Sequence, residues 1–263
     1  VWRRVRVDKC GHERVRLNQE PGMNRLTINC DMGEAFGIYR LGNDEEVMPF
    51  VTHANIACGF HASDPMVMWR TVRAAKQHGI AVGSHPGLPD REGFGRRAMR
   101  MSREEVAALV LYQTGALRAF LDAEGMTLSH IKPHGALMGM AMQDAAVAEG
   151  VADAALAAGV PVIGCADSEM TRVFDERGVS YTCEFYADLD YDDEGRQLIT
   201  MVHAAVDPDD AAARVLRAVT EGRARSINGR DVKVAADSIC VHSDTPGALA
   251  IARAVHQVVA NRL

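Results

Sequence analysis

"HIKPHGAL", His130–Leu137, decides how the rest of the chain is read. It follows a long amphipathic segment, starts as a strand at His130 and Ile131, and then sets Lys132 and His134 two residues apart around Pro133, with Gly135 after them. Alternate residues of a strand face one side, so Lys132 and His134 point the same way. Burying an ammonium group is costly unless a carboxylate or an anionic ligand meets it. Asp31, Glu184 and Asp244 are the candidate partners. A salt-bridge cluster that only fills the interior is the plain alternative to a functional site, but so many converging ionisable groups favour the site.

Around that stretch, strand-like and helix-like segments alternate. The strands are "RLTINCD" (25–31), "VTHANIAC" (51–58), "GIAVGSH" (79–85), "SHIKPH" (129–134), "GVPVIGCA" (159–166), "VSYTCEFYAD" (179–188) and "DSICVHSD" (237–244). Each is short, bounded by Gly, Pro or Asp, and rich in β-branched residues. Helix patterns fit Pro65–His78 behind Ser63-Asp64, Ser102–Glu124 behind a Ser102/Glu105 capping box, and 144–158, 168–177, 208–222 and 245–261. Asn228-Gly229 in "SINGRDVKV" predicts a local hairpin turn.

Seven strands alternating with helices predict a parallel sheet covered by helices. Asn29 and Asp31 end the first strand, His53 and Asn55 lie in the second with His61 just beyond, and His85 ends the third. Lys132 and His134 end the fourth, Glu184, Tyr186 and Asp188 the sixth, and His242 and Asp244 the seventh. An open sheet concentrates such groups at one switch point, whereas a closed barrel gathers them from many strand ends at its C-terminal mouth. Only the fifth strand carries none, so the fold class expected is α/β, a seven-stranded parallel β/α barrel forming a single domain over residues 23–263.

Composition bounds the function. Of 263 residues, 48% are hydrophobic and 24% charged, the share of an ordinary globular domain, and the net charge of −6 gives no footprint for nucleic acid. No apolar run approaches the roughly 18 residues of a membrane span. Cys10, Cys30, Cys58, Cys165, Cys183 and Cys240 form no CxxC pair, and four of them sit in apolar runs, the pattern of buried thiols in a reducing cytoplasm. Residues 1–22 hold five arginines and one lysine against three acids without an apolar core, the composition of a disordered extension. The chain has no GxxxxGK[ST] phosphate loop, no GxGxxG after a strand and no GxSxG elbow.

The remaining signals differ in weight. "NCDMGEAFG" (29–37) joins Asn29, Asp31 and Glu34 to two glycines, more acids than a capping turn needs. "HANIACGFHASDP" (53–65) runs into a helix start where Ser63 and backbone N–H groups can hold an anion or only cap the helix. "GSHPGLPDREGFGRR" (83–97) is a long loop ending in Arg96 and Arg97, and loops on this face of a barrel carry function. His130 and His203 read as structural or solvent-facing, and His78 as a helix C-terminal residue facing the macrodipole. Asp31, His61, His85 and His134 supply a carboxylate and imidazoles for a divalent metal, although no HxxxH or HExxH spacing supports one.

Several runs together resemble the LamB/YcsF family, the group that holds the A component of 5-oxoprolinase. They are "INCDMGEAFG", "HANIACGFHASDP", "VGSHPGLPDREGFGRR", "YQTGAL", "HIKPHGAL" and "DSICVHSDTPGA", in the family's order, and with the intervening helices they cover nearly all of residues 26–260. The resemblance implies a seven-stranded β/α barrel related to polysaccharide deacetylases and some glycosidases. It also implies ATP-dependent opening of 5-oxoproline to L-glutamate in company with two partner subunits, B and C. The family's motif positions fall on Asp31, Asn55, His61, His85, Lys132, His134, His242 and Asp244.

One region departs from the family pattern. Leu189 stands where an Arg is expected after the sixth strand, and a downstream Pro-Gly is replaced near Met201 and His203. Losing a guanidinium at the mouth alters which carboxylate or phosphate is held, so a different lactam is one alternative.

A lactam is a poor electrophile, and its hydrolysis needs a base, a stabilising cation and groups that hold the substrate carboxylate. The catalytic set expected is Asp31 or His134 as base, Lys132 as electrostatic stabiliser and His61, with Asn55, as orienting donor. Asn29, Glu34, Asn55, His85, Arg97, Glu184, His242 and Asp244 are expected to bind substrate. With no phosphate loop in this chain, ATP is expected to be handled by a partner subunit. Two further readings are an ATP-independent, metal-dependent deacetylase or amidohydrolase on the same barrel, and a non-catalytic subunit that only positions substrate.

Overall fold

A computed structural model of the protein describes residues 26–198 and 204–261. The basic extension 1–22, the boundary at Met23, His203 and the Met201 departure lie outside the described residues. The chain closes a parallel barrel of seven strands, as the alternation of elements predicts. These are β1 (Thr27–Met32), β2 (His53–Ala57), β3 (Ala81–His85), β4 (Leu128–Ile131), β5 (Val162–Gly164), β6 (Tyr181–Tyr186) and β9 (Ser238–His242). Neighbours follow chain order until β6, which pairs with β9, and β9 closes the ring on β1.

Helices α2 (Pro65–His78), α3 (Arg103–Ala123), α5 (Ala145–Ala158), α6 (Glu169–Arg177), α7 (Pro208–Glu221) and α8 (Ala248–Ala260) match the sequence patterns closely. Their starts have the physical causes read from the sequence: the Asp64 carboxylate accepts from the Met66 and Val67 amides, and Ser102 and Glu105 form the capping box of α3. Two helices are not evident from sequence. The short α1 (Asp44–Val47) runs into a single 3-10 turn, and α4 (Gly135–Gln143) contains two glycines that weaken its helical signal. The hairpin is present, formed by β7 (Arg223–Arg225) and β8 (Asp231–Lys233), but its connection spans Ser226 to Arg230 and is not a two-residue Asn-Gly turn.

Strand alternation divides the core in two. Ile28, Cys30 and Met32 on β1, Ala54 and Ile56 on β2, Val82 on β3, and Ile239 and Val241 on β9 are buried in the apolar layer shared with the helices. The alternate residues Asn29, Asp31, Asn55, Glu184, Ser238 and Cys240 contact one another across the barrel interior, directly or through Lys132. A β/α barrel interior is usually filled by branched apolar side chains. Here it is filled by a hydrogen-bonded network, and the apolar burial that stabilises the fold lies outside the strands.

Gly83 makes room for that network. A Cβ at Gly83 would overlap the His130 imidazole, which donates from Nε2 to Asn55 Oδ1 at 2.6 Å. Gly83→Ala is therefore expected to push His130 off Asn55 and destabilise the protein by ~1–3 kcal/mol, the range of core overpacking. A denaturant midpoint unchanged from the parent would show that the ring has another place to go.

Candidate functional site

The site begins where β4 stops. Beyond Ile131 the backbone stays extended, with the Lys132 amide on the Ser84 carbonyl at 2.8 Å and the His134 amide on the Pro86 carbonyl at 2.9 Å. Gly135 then takes φ +49 and opens α4, and a Cβ there would meet the Gly95 carbonyl at 3.0 Å. This turn is what directs Lys132 into the barrel and leaves His134 at its mouth.

Lys132 is 1% exposed. Its Nζ reaches Asp31 Oδ1 at 2.9 Å, Glu184 Oε2 at 3.1 Å, Asn29 Oδ1 at 3.1 Å and Cys240 Sγ at 3.1 Å. Burial alone would lower its pKa, but the Asp31 and Glu184 carboxylates outweigh that and hold the ammonium form well above the usual lysine range. Tyr186 donates its hydroxyl to Glu184 Oε1 at 2.7 Å, and Asn55 donates to Asp31 Oδ1 at 2.8 Å. With Oδ1 doubly engaged, Asp31 turns Oδ2 to the cavity, 3.2 Å from His85 Nε2 and 3.7 Å from His242 Nε2. Burial opposes ionisation of Asp31, but His85 and Lys132 outweigh it and hold the carboxyl well below its usual range. Cys240 is the opposite case: burial raises its thiol pKa despite Lys132, so it stays a thiol and not a nucleophile.

Two histidine groups flank Asp31. On one side His242 Nδ1 donates to Asp188 Oδ1 at 2.9 Å, and Asp188 also receives the His242 amide and the Thr245 hydroxyl. Burial would make His242 less basic, but the Asp188 carboxylate beside it leaves its pKa raised. On the other side stand His85, His134, His61 and Glu34. His61 stacks on His134 with ring centres 3.7 Å apart and reaches Glu34 Oε1 at 3.1 Å. Burial, and then the neighbouring imidazoles, lowers both His61 and His134 well below the usual histidine range. Burial, and then Asp31 and Asp244, raises Glu34.

Glu34, His61, His85 and His134 bring one donor atom each within 4.8 Å of one another, as do Asp31, Cys240 and His242. This buried cluster can hold a divalent metal. Asp31, His85, Lys132, His134, Arg96, Leu189 and His242 are among the residues lining a cavity of about 30 Å³, close to the size of one water.

The LamB/YcsF family profile matches residues 26–262. This chain belongs to the LamB/YcsF family. It is 46% identical over 243 residues to a protein of Geobacillus kaustophilus (strain HTA426) named as the A component of 5-oxoprolinase, across 91% of this chain and 94% of that relative. It is 44% identical over 246 residues to the lactam utilization protein lamB of Emericella nidulans, across 91% of this chain and 96% of the relative. The crystal structure of the lactam utilization protein from Thermus thermophilus superposes with a TM-score of 0.83 at 40% identity, covering 90% of this chain and 97% of that one.

Against this LamB/YcsF barrel the expected site residues sort clearly. Asn29, Asp31, Glu34, Asn55, His61, His85, Lys132, His134, Glu184 and His242 come together in one buried network. Asp244 sits at the rim, 3.8 Å from Arg96. Arg97 does not join them: its side chain is 59% exposed and its Nε donates to Asp90 at 2.8 Å, while Arg96 lines the cavity. Nothing in two adjacent arginines distinguishes the inward one. The N-terminus of α2 is occupied by the Asp64 carboxylate, which leaves no anion site at Ser63. His130 is buried and structural. Cys240 and Asp188 are contributors the sequence reading did not select, although Cys240 shares its strand face with His242.

Two measurements probe this network. Lys132→Met would leave Asp31 and Glu184 buried without their cation, so stability at pH 7 is expected to fall by ~3–5 kcal/mol. Adding Glu184→Gln should restore part of the loss; no recovery would mean that the two groups are not coupled. His130 is held neutral by burial and then by the nearby His53 and Lys132, its pKa well below the usual histidine value. Its contribution to stability is thus present above the unfolded value of about 6.5 and lost as pH falls toward the folded one. Between pH 7 and 5 the parent should lose more stability than His130→Gln, and equal losses would contradict the assignment.

Proposed function

We propose that this chain is the lactam-hydrolysing subunit of an ATP-dependent 5-oxoprolinase, opening 5-oxoproline to L-glutamate with partner subunits B and C. The observation that carries the reading is the ionised Asp31, locked by Lys132 and Asn55 with Oδ2 facing the cavity, in a chain 46% identical to a protein named as the A component of 5-oxoprolinase.

Ring opening requires a water to attack the amide carbon and a proton to reach the departing nitrogen. Asp31 Oδ2 takes the proton from water, its position and charge held by Lys132. All the Nζ hydrogens of Lys132 have protein acceptors nearby, so it acts through Asp31 and Glu184. His242, kept protonatable by Asp188, supplies the proton to the nitrogen. Arg96 at the rim, beside Asp244, receives the substrate carboxylate. Because the cavity is smaller than a lactam, the rim formed by Phe94, Arg96 and Leu189 must part to admit substrate. The apolar Leu189 side chain lines that rim, and it is the feature that favours a different lactam as a variant of this reading.

The larger groove, about 700 Å³ between Asn43, Ser243 and α8, is lined by a single Arg253 together with Asp244, a poor match for a triphosphate. That lining supports assigning the nucleotide to the partner subunits. The His61, His85, His134 and Glu34 cluster favours one second reading, an ATP-independent, metal-dependent amidohydrolase. Among the described residues no helix is long and apolar enough to cross a membrane.

Reconstitution with the B and C subunits separates these readings. The complex should release glutamate from 5-oxoproline only with ATP, the lone chain should release none, and Asp31→Asn should lower the rate by about 100-fold or more. Glutamate release by the lone chain without ATP would favour the amidohydrolase. A complex that assembles yet stays inactive with 5-oxoproline, but turns over another lactam, would transfer the activity to that substrate.

A further inference from the structure

Hydrogen-bond accounting at two imidazoles leaves two lone pairs face to face. His85 Nδ1 lies 2.7 Å from the Lys132 backbone carbonyl, which can only accept, so Nδ1 carries a hydrogen. His134 Nε2 lies 2.7 Å from the Phe94 carbonyl, so it too carries a hydrogen. In the neutral rings the other nitrogens, His85 Nε2 and His134 Nδ1, therefore have none, and they face each other at 3.0 Å. The ionised Asp31 beside them only adds an acceptor, with Oδ2 3.2 Å from His85 Nε2, and Glu34 Oε1 is 3.6 Å from His134 Nδ1. A positive centre has to occupy this point, either a shared proton or a metal ion.

We propose that His85 Nε2, His134 Nδ1 and Glu34 Oε1 bind a divalent transition-metal ion at the barrel mouth. Three features favour an ion over a proton. Tetrahedral ligands about 2.1 Å from a metal stand about 3.4 Å apart, close to the 3.0 and 3.6 Å seen here. Backbone carbonyls that fix the far nitrogen of each ring are the usual outer support of metal-bound histidine. His61 already holds Glu34 in place.

His61 itself is not a ligand. Its Nε2 is engaged with Glu34 Oε1 at 3.1 Å and its ring stacks on His134 with centres 3.7 Å apart, so it supports the ligands from behind. Three protein ligands leave a coordination position toward the cavity, the pattern of catalytic sites rather than structural ones. Two imidazoles and a carboxylate suit Zn²⁺, Co²⁺ or Mn²⁺, and not Mg²⁺, which takes oxygen ligands. The inference stands whether or not the lactam reading holds, since it rests on tautomers and spacing alone.

The test uses the whole chain, stripped with a chelator and titrated with ZnCl₂ and CoCl₂ by calorimetry and visible absorption. One ion per chain should bind with sub-micromolar affinity, Co²⁺ should develop d–d bands, and MgCl₂ should not compete. His85→Gln and His134→Gln should each weaken binding by roughly 100-fold or more, and Glu34→Gln by at least roughly 10-fold. A parent protein that binds neither ion, or folded histidine variants that bind as the parent does, would overturn the site and leave the shared proton. Should the variants not fold, imidazole ¹⁵N resonances of the parent decide. Zn²⁺ must move those of His85 and His134, and resonances that stay in place refute coordination.

Discussion

A lysine ammonium inside a closed strand barrel has to be met by carboxylates, and the way Lys132 is met organises the structure. Its partners come from β1 through Asn29 and Asp31, from β6 through Glu184 and from β9 through Cys240. Those are the strands of the closing seam, where β9 enters between β6 and β1. One cation from the far wall thus bridges the join between the first and last strands. Because the ions share a low-dielectric interior, removing any one strands the others, so the network acts as a unit.

A polar interior contributes little net stability, since desolvating ions offsets much of their attraction. The stabilising burial lies in the layer between strands and helices, where Val72, Leu117, Leu121, Val151, Phe174 and Val255 are wholly buried. Strand alternation makes this division possible: every second residue is committed to the helical layer, and the rest are free to carry chemistry. The interior is also packed tightly enough that Gly83 is required for His130, so site and scaffold meet at single side chains.

The barrel was legible in the sequence because its signals are local. Short β-branched runs alternate with capped helices, and polar pairs such as Asn29/Asp31 and Lys132/His134 sit at strand ends. The gathering of ten expected residues into one network follows from that topology alone. What stayed hidden depends on rotation or on tertiary support. Arg96 and Arg97 are adjacent, and only the fold decides that one enters the cavity while the other pairs with Asp90. α4 carries glycines that argue against a helix, yet the buried Leu137, Met138 and Ala141 hold it in place. The Ser63-Asp64 start of α2 was legible as a cap or as an anion site, and the structure decides between them by placing the Asp64 carboxylate on the Met66 and Val67 amides.

Asp31 divides the mouth into two chemically different halves. Toward β9, His242 donates to Asp188 and is held in its more basic state, so that side can give up a proton. Toward β3 and α4, backbone carbonyls take the hydrogens of His85 and His134, so that side presents lone pairs. Environments that push like groups apart in basicity are how one site supplies both acid and base. Here the separation has two causes: the Asp188 carboxylate raises His242, whereas burial and the neighbouring imidazoles lower His134 against the pull of the Phe94 carbonyl. An amide bond placed across Asp31 would meet a proton source at one end and a cation-seeking pocket at the other. That polarity is what the proposed ring opening would use.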